Sequence, residues 1–393
     1  MIVFLRKWIL KIAYWLFTPL PVRERVVFAS SHAVSLGGNL RAIRDELQRR
    51  TPSPEIVTHL RRSVSARSSK LDTLMHAVRA EYLLATSRVF IVDDYFFPLY
   101  VITPKPDTVV IQTWHASGAF KKIGYSVLGR TFGASSTLVR QVRIHSNYTY
   151  CLIASKNAIP AYAEAFGQPA ERFVSLGIPR TDLFFDAANV ARTAVKLRER
   201  YRLPADKRVI LYAPTFKGTS THAAAYHDDL DLRVMRDLLG DDYVLLLRLH
   251  PFVARSLTIP ADLGDFARNV SDYRDINELM LVSDVLVTDY SSAIFEYSLL
   301  ERPMAFLAPD HEAYEAERGF YFDYASEVPG PVFDSTEALA HYLAAGRFDT
   351  QRAIEFKERS FDLADGHASE RVVDRLVLPA LSASAGVRSS RKD

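Results

Sequence analysis

The sequence is poor in cysteine, in net charge and in long apolar runs. Its 393 residues include one cysteine, Cys151 in the segment YCLIAS, so an intramolecular disulfide is excluded and a reducing compartment is favoured. The formal net charge is only +3, unlike the strongly basic balance of a nonspecific nucleic-acid binder. We therefore expect a cytosolic globular body with no nucleic-acid partner.

Two nucleotide-binding motifs are also missing. The chain contains no GxxxxGK[ST] segment, which excludes a P-loop kinase, and its segment SLGGN is too loose for a dinucleotide fingerprint. No apolar run approaches the ~20 residues that a membrane-spanning helix needs. The chain is nonetheless 48% hydrophobic, which suffices for the cores of two domains of ordinary size.

The N-terminal segment, MIVFLRKWILKIAYWLFTPLPV, predicts a basic amphipathic helix over residues 1–22. Arg6, Lys7 and Lys11 fall within about 140° of a helical wheel, and apolar side chains cover much of the remainder. Such helices lie in the headgroup plane of an anionic membrane surface. We expect a peripheral association with the cytoplasmic face of the cell membrane. The alternatives are a helix packed on the protein's own body or on a partner, and an uncleaved signal anchor.

Apolar strands alternate with helical segments along the rest of the chain. The strands RVVFAS, EIVTHL, RVFIVDD, TVVIQTWH and CLIAS come first, and after a polar break containing proline the pattern restarts with a strand at Val209–Ala213. This alternation predicts two α/β domains with parallel sheets. We place them at residues 23–203 and 204–380, followed by a disordered tail at 381–393.

Polar residues cluster directly after four of the apolar strands. Because parallel sheets bind ligands beyond the carboxyl ends of their strands, these clusters predict the walls of an interdomain cleft. The clusters contain Trp114, His115, Lys121 and Lys122; Thr215 and Lys217; Arg248 and His250; and the segment DYSSAIFE, residues 289–296.

The fourth cluster leads straight into a helix. The first amides of a helix lack partners within it, and the macrodipole is positive there, so a phosphate is favoured. Ser291 or Ser292 can cap this helix or donate a hydroxyl to phosphate, and Glu296 is placed to receive ribose hydroxyls. Taken alone, the segment leaves open that Ser291 is only an N-cap.

Seven segments occur in a recognisable order between about residues 27 and 377: QTWHASGAFKKIG, LGIPRTDLF, YAPTFKG, LLRLHPF, VTDYSSAIFEYSLLERPMAFLAPD, RGFYFDY and DGHASERVVD. Together they resemble the CDP-glycerol glycerophosphotransferase family, membrane-associated enzymes of teichoic acid and capsule synthesis. The resemblance implies a GT-B fold, with two Rossmann-like domains facing a cleft and the nucleotide held mainly by the second. It also implies transfer of a polyol phosphate, with glycerol phosphate expected, from CDP-glycerol or CDP-ribitol. The acceptor is a hydroxyl of a lipid-linked or polymer molecule, and CMP is released.

The resemblance also assigns roles to residues. His115 is the expected general base on the acceptor hydroxyl, and His250 is expected near the pyrophosphate. The resemblance puts Arg248, Ser291, Ser292 and Glu296 on the nucleotide and phosphate side, and the strand-end clusters add Thr215 and Lys217. Acceptor or phosphate contacts are expected for four further residues, Trp114, Lys121, Lys122 and Arg180. Ala116 replaces the family's usual glycine, and we expect its methyl to crowd the acceptor or shift the loop. Glu296 stands for an aspartate, and Phe216 and Lys217 stand for tryptophan and arginine.

The expected chemistry is proton removal by histidine, with charge stabilised by cations and the helix start. The acids of HDDLDL, residues 227–232, are expected to be solvated loop residues, so no metal ligand is assigned and a supporting Mg²⁺ is left open. Two alternatives stay open. One is a GT-B glycosyltransferase that uses a UDP- or GDP-sugar, and the other is an inactive membrane-bound nucleotide-binding protein.

Overall fold

The computed structural model describes residues 2–61, 70–130, 136–215, 229–249 and 259–382. Its elements form two α/β units, each built on one parallel sheet of six strands. Cys151 is buried in the first of these sheets, as its apolar neighbours predict.

The first unit contains the strands β1 (Arg23–Ser30), β2 (Glu55–Leu60), β3 (Ser87–Val92), β4 (Val109–Gln112), β5 (Tyr150–Ile153) and β6 (Phe173–Ser175). Its helices are α1 (Ile2–Phe17), α2 (Gly38–Arg49), α3 (Lys70–Thr86), α4 (Phe97–Tyr100), α5 (Ser136–Gln141) and α6 (Ile159–Phe166). Short 3₁₀ turns, at 124–127, 156–158, 170–172 and 179–184, complete its loops.

The second unit contains the strands β7 (Arg208–Tyr212), β8 (Tyr243–Leu247), β9 (Ala267–Asn269), β10 (Val285–Thr288), β11 (Met304–Leu307) and β12 (Val332–Phe333). The helices from here to the end of the chain are α7 (Ala187–Tyr201), α8 (Leu232–Leu239), α9 (Ile276–Val282), α10 (Ala293–Ser298), α11 (His311–Arg318), α12 (Tyr324–Glu327), α13 (Thr336–Ala345), α14 (Gln351–Ser360) and α15 (Ala368–Val372). One π-helical turn, Val373–Val377, follows α15.

Both sheets reverse their strand order once. The first has the order β2-β1-β3-β4-β5-β6 and the second β12-β11-β10-β7-β8-β9. The chain therefore changes direction between β1 and β3 in the first sheet, and between β7 and β10 in the second. Ligands of open α/β sheets bind in the crevice beyond the strand ends at such switch points. The two switch points thus mark where each unit is expected to act.

The central strands of the second sheet are continuous apolar runs, as expected where helices cover both faces of a sheet. All five residues of β8 are buried, as are all four of β10 and all four of β11. The apolar core on one face of the second sheet also takes in Phe120 and Ile178 from the first unit. The two units therefore share apolar packing along their boundary.

The chain crosses between the units twice. Helix α7 leads out of the first unit, but its buried Leu197 packs in the core of the second. At the other end of the chain, Val372, Val373 and Val377 pack against β1 and β3 of the first sheet. The predicted interval 204–380 thus ends in residues that belong to the first core. Residues 381 and 382 continue a helix, and the rest of the predicted tail lies outside the described residues.

Helix α1 packs on the body of the protein through one side and exposes the other. Leu10 and Tyr14 are buried in the first core, and α1 lies against α3. The packing that the sequence left as an alternative is therefore present. The opposite side exposes between 47% and 70% of six apolar side chains, namely Phe4, Leu5, Trp8, Ile12, Trp15 and Leu16. Within the part of the chain that is described, no helix combines the length and hydropathy needed to cross a bilayer.

Candidate active site

His115 lies at the edge of the first sheet, three residues beyond the end of β4. Its Nδ1 is 3.3 Å from Oδ2 of Asp94, which follows β3. The same carboxylate oxygen lies 3.5 Å from Nε2 of His32, which follows β1. The switch point between β1 and β3 therefore brings two imidazoles onto one carboxylate. His115 itself is 54% exposed, so solvent and ligands can reach it.

Asp94 sets the protonation of His115. Desolvation by the surrounding protein lowers the pKa of His115, but the charge of Asp94 and its hydrogen bond raise it, and the net pKa lies above the ordinary value. For Asp94, burial raises the pKa, while His115 and then His32 lower it, and the net pKa lies below the ordinary value. The carboxylate is thus charged at neutral pH and accepts a hydrogen bond from Nδ1 of His115.

Trp114 precedes His115 and is buried beneath it. Its ring centroid lies 4.3 Å from that of His115 and 5.1 Å from that of Phe166. The backbone of Trp114 has a φ of 53°, in the left-handed region that residues other than glycine rarely adopt. This turn directs the chain out of the sheet, with Trp114 in the core and His115 at the surface of the edge.

A hydroxyl and a carboxylate meet at the switch point of the second sheet. Oδ1 of Asp289, just after β10, accepts hydrogen bonds from the backbone N–H of Thr215 at 2.7 Å and from its hydroxyl at 2.9 Å. It also accepts from the N–H of Tyr290 at 2.5 Å. Asp289 is buried, and these bonds tie the loop after β7 to the loop after β10.

The two serines at the start of α10 behave differently. The hydroxyl oxygen of Ser291 accepts from the N–H of Ala293 at 3.2 Å, which is the capping contact that the sequence left open. Ser292 is already in helical conformation and its side chain caps nothing. Arg248, after β8, donates to the carbonyl of Leu249 at 2.7 Å. Burial lowers the pKa of Arg248, and the raising effects of Tyr201, Asp272 and Asp275 offset this only in part.

Glu296 joins the two units. Its carboxylate is buried, pairs with the guanidinium of Arg180 and accepts a hydrogen bond from the hydroxyl of Ser117. Arg180 follows β6, and Ser117 lies two residues after His115, so both partners come from the first unit. The residue that the sequence assigned to ribose binding is thus engaged across the domain boundary.

The segment that follows His115 runs onto the second unit. A Cβ on Gly118 would lie 2.1 Å from the Phe295 ring, so only glycine fits this approach. Lys121 donates to the Tyr314 hydroxyl at 3.3 Å, and the N–H of Lys122 donates to the carbonyl of Gly319 at 3.0 Å. Desolvation lowers the pKa of Lys121 to about 8, with Asp289 opposing this and Arg318 adding to it.

Ala116 fits its position without a backbone penalty. It is absent from the residues with positive φ in the described part of the chain, and it is partly exposed. Its carbonyl accepts a hydrogen bond from the Tyr162 hydroxyl at 3.2 Å. A methyl group is therefore accommodated here in an ordinary backbone conformation.

Three of the predicted or singled-out residues, His250, Lys217 and Phe216, lie outside the described residues. Of the acids in HDDLDL, Asp231 caps α8 by accepting from the N–H groups of Arg233 and Val234. Among the described residues, no group of three or more His, Cys, Asp or Glu is arranged to hold a metal ion.

Sequence reasoning missed Asp94 and His32, and it gave no individual role to Asp289 or Ser117, which lie in segments that it singled out. The first three stand directly or closely after apolar strands, so the strand-end rule that identified His115 applies equally to them. The segment RVFIVDD was read as a strand without a role for its acids. Ser117 carries no signal of its own, because its partner Glu296 lies 179 positions away in the sequence.

Comparison with known proteins identifies the family. Residues 12–378 match the family described as CDP-Glycerol:Poly(glycerophosphate) glycerophosphotransferase. The chain belongs to this family. As a member it is a CDP-polyol phosphotransferase, which transfers a polyol phosphate from a CDP-activated donor. The phosphotransferase interpretation of the sequence is thereby confirmed.

Similar proteins include two curated primases of Bacillus spizizenii. The teichoic acid ribitol-phosphate primase is 40% identical over 358 residues, covering 90% of this chain and 91% of the relative. The teichoic acid glycerol-phosphate primase is 31% identical over 301 residues, covering 76% of each chain. The solved structure of the wall teichoic acid polymerase TagF is 26% identical, with a TM-score of 0.80 over 96% of this chain and 94% of that one. The predicted GT-B class is thus confirmed.

Proposed function

We propose that this glycerophosphotransferase family member uses His115 as the general base on the acceptor hydroxyl. The observation that carries the proposal is the 3.3 Å contact between Nδ1 of His115 and Oδ2 of Asp94. The carboxylate fixes the tautomer in which Nδ1 is protonated, so that Nε2 is the basic nitrogen. Half-exposure of the ring leaves that nitrogen accessible to an alcohol.

The reaction balances with these groups alone. The acceptor oxygen forms a bond to the distal phosphorus of the CDP-polyol, and the bond from that phosphorus to the bridging oxygen breaks. CMP leaves with the bridging oxygen, and the alcohol proton passes to Nε2 of His115. Negative charge builds on the phosphoryl oxygens during this step. Hydrogen-bond donors at the carboxyl edge of the second sheet, called the second edge below, stabilise that charge.

We assign the donor to the carboxyl edge of the second sheet, where the Thr215 hydroxyl is bonded to Asp289 and the Ser291 hydroxyl lies at the start of α10. Arg248, Ser292 and the sequence-assigned Lys217 and His250 complete this side in the proposal. Glu296 and Arg180 we assign to holding the two units together, since they already pair across the boundary. To Lys121, whose pKa is lowered to about 8, we assign a contact from the first unit to a phosphate oxygen of the donor.

For the polyol we propose ribitol phosphate in preference to the glycerol phosphate expected from the sequence. The support is the identity of 40% to the ribitol-phosphate primase against 31% to the glycerol-phosphate primase of the same organism. The acceptor we propose is a lipid-linked or polymer molecule of teichoic acid synthesis, in keeping with the names of these relatives.

The test is CMP release by the purified full chain with a lipid-linked acceptor extract. Four donors are compared, namely CDP-ribitol, CDP-glycerol, UDP-glucose and UDP-N-acetylglucosamine, with UMP and UDP followed for the last two. Faster CMP release from CDP-ribitol supports the proposal, and faster release from CDP-glycerol restores the first expectation. Turnover of a UDP-sugar, with no CMP released from either CDP-polyol, would overturn the proposed class of donor.

We further propose that α1 places the enzyme on an anionic membrane surface. Its exposed side carries two tryptophans and a phenylalanine, residues that favour the headgroup region. Lys11 lies within 5.4 Å of the Trp8 ring centroid, so a cation accompanies the apolar face. Burial of this face in lipid removes it from water, and the basic residue adds attraction to anionic lipid.

Replacing Trp8 and Trp15 together by serine should reduce co-sedimentation with anionic vesicles by about tenfold or more, because two large apolar side chains no longer enter the bilayer. Val195→Ser is the matched control, since Val195 on α7 is similarly exposed at 58% but lies outside this face. Equal recovery of all three proteins with the vesicles would contradict the proposed membrane face.

A further inference from the structure

The strained residue Trp114 has both of its backbone polar groups held by buried side-chain amides. Its N–H donates to Oε1 of Gln112 at 2.8 Å, and its C=O accepts from Nδ2 of Asn39 at 3.0 Å. Gln112 and Asn39 are both buried. A left-handed residue other than glycine persists only where its surroundings fix it, and these two amides supply that constraint.

Gln112 connects Trp114 to Asp94. While Oε1 accepts from Trp114, Nε2 donates to the backbone carbonyl of Asp94 at 3.2 Å and to the Tyr148 hydroxyl at 2.9 Å. The orientation of the amide is determined by its partners, because a backbone N–H can only donate and a backbone C=O can only accept. One side chain thus holds the two loops that carry the members of the Asp94–His115 pair.

Asn39 holds the same turn from the opposite side. Its Nδ2 donates to the carbonyl of Thr113 at 3.2 Å as well as to that of Trp114. Its Oδ1 accepts from the N–H of Arg180 at 3.0 Å. Asn39 stands at the start of α2, after Gly38 with its φ of 50°. The segment SLGGN, which fits no nucleotide fingerprint, therefore has a structural use at this site.

A buried chain of hydroxyls supports Gln112 from behind. The Tyr148 hydroxyl lies 2.6 Å from that of Tyr100 and 3.2 Å from Nδ1 of His145. Burial lowers the pKa of His145 to about 3, so its imidazole is neutral. The assignment that uses every hydroxyl hydrogen runs from Tyr100 through Tyr148 to Nδ1 of His145. Tyr148 then accepts from Gln112, which leaves no freedom for the amide to flip.

We propose that Gln112 and Asn39 form a carboxamide clamp that positions His115 against Asp94. Neither residue touches substrate in this role; they act through Trp114 and the Asp94 backbone and are positioning residues. The inference rests on the proposed function only in that His115 is the base. The clamp's own consequence, a fixed separation between Nδ1 of His115 and Oδ2 of Asp94, holds whatever reaction His115 serves.

The test measures the pKa of His115 in the full chain by histidine-selective NMR, with the His115 signal identified by its loss in His115→Ala. Gln112→Met keeps the length of the side chain and removes its hydrogen bonds. Asn39→Ala removes both donors and the acceptor for Arg180 without adding a charge near His115. In each variant we expect the pKa of His115 to fall by about 0.5 or more toward its ordinary value, because the Asp94 carboxylate no longer lies at hydrogen-bonding distance.

The matched control is Asn147→Gly, which removes the amide without adding a charge and suits the backbone φ of 69° at this position. Nδ2 of Asn147 also donates to two backbone carbonyls, those of Leu99 and Ile102, at 2.7 Å each, but these lie outside the Trp114 turn. We expect this variant to leave the His115 titration unchanged. In CMP-release assays the clamp variants should lower kcat by about 10- to 100-fold with the KM for donor within about twofold, since only the base is displaced.

A folded clamp variant whose His115 titrates as in the parent protein would overturn the inference, and so would a control variant that shifts the pKa equally. If Gln112→Met does not fold, Gln112→Leu, which also removes the hydrogen bonds without adding a charge, takes its place under the same criterion. Full CMP release by His115→Ala would instead refute the proposed function, while the titration would still decide on the clamp.

Discussion

Each sheet reverses its strand order once, and an aspartate stands at each reversal, but the two aspartates hold different partners. Asp94, at the switch point of the first sheet, faces the imidazoles of His115 and His32. Asp289, at that of the second sheet, accepts from the N–H and hydroxyl of Thr215 and from the N–H of Tyr290.

The two sheets share the same kind of topology, but the partners of their two aspartates suit different tasks. A carboxylate beside an imidazole changes a proton affinity near neutral pH, which is what an acid or base requires. A carboxylate bonded to a hydroxyl and backbone amides mainly fixes the shape of a loop, although the charge of Asp289 also opposes the lowering of the Lys121 pKa. We therefore expect substitutions at the carboxyl edge of the first sheet, the first edge, to affect turnover. Substitutions at the second edge should affect the binding of the nucleotide.

The largest effect should come from His115→Ala, which removes the proton acceptor. CMP release should fall about 10²- to 10⁴-fold, while the affinity for CMP, measured by calorimetry, stays within about twofold because nothing at the second edge changes. His341→Ala, at an exposed histidine on α13, should retain the parent rate. A loss of CMP affinity as large as the loss of rate would contradict the assignment of turnover to the first edge and of binding to the second.

Asp94→Asn should have the next largest effect and should also move the pH profile. The carboxylate raises the pKa of His115, and a base works only when neutral, so activity rises with pH through that raised pKa. Without the charge, the pKa falls and the rise in kcat/KM shifts to lower pH, while the plateau drops on the order of 10²-fold because the tautomer is no longer fixed.

His32→Ala is the control for that shift. It removes the second imidazole but leaves Asp94 to His115, so kcat should stay within about threefold of the parent value, as for weak exposed ion pairs. An unshifted profile in Asp94→Asn, or equal shifts in both variants, would show that the Asp94–His115 contact does not set the proton affinity of the first edge.

The smallest effect is expected from Thr215→Val at the second edge. The change keeps the shape of the side chain and removes its bond to Asp289, so the Kd for CMP should rise about 3- to 10-fold with kcat nearly unchanged. Thr108→Val is matched to it, since the Thr108 hydroxyl donates to the carbonyl of Ser87 at 3.1 Å, at the start of β4. Identical Kd values for CMP in the two variants would show that Thr215 does not contribute to binding the donor nucleotide.

Apolar runs allowed most of the fold to be predicted. The segment EIVTHL is β2 without adjustment, and the strand predicted at Val209–Ala213 is β7, Arg208–Tyr212. Strands buried on both faces must be apolar throughout, so their sequence is distinctive. The return of residues 372–377 to the first sheet could not be predicted, because an apolar helix face does not specify which of two cores it enters.

The site could be predicted only in part, for a related reason. His115 was found because its position follows from the end of one strand. The partner of a side chain on another strand depends on how loops bend, so the contact of His115 with Asp94 has no local signal. Gln112 is the extreme case, since it occupies an ordinary position in β4 and only its three buried bonds reveal what it does.

The glycine at position 118 has a mechanical consequence. It lets the chain three residues beyond His115 press against the Phe295 ring, and Ser117 beside it is bonded to Glu296. His115 and the surface of the opposite domain are therefore joined by only two or three peptide bonds. Any displacement of one domain relative to the other must act on this short segment, so it would also change the position of the His115 imidazole.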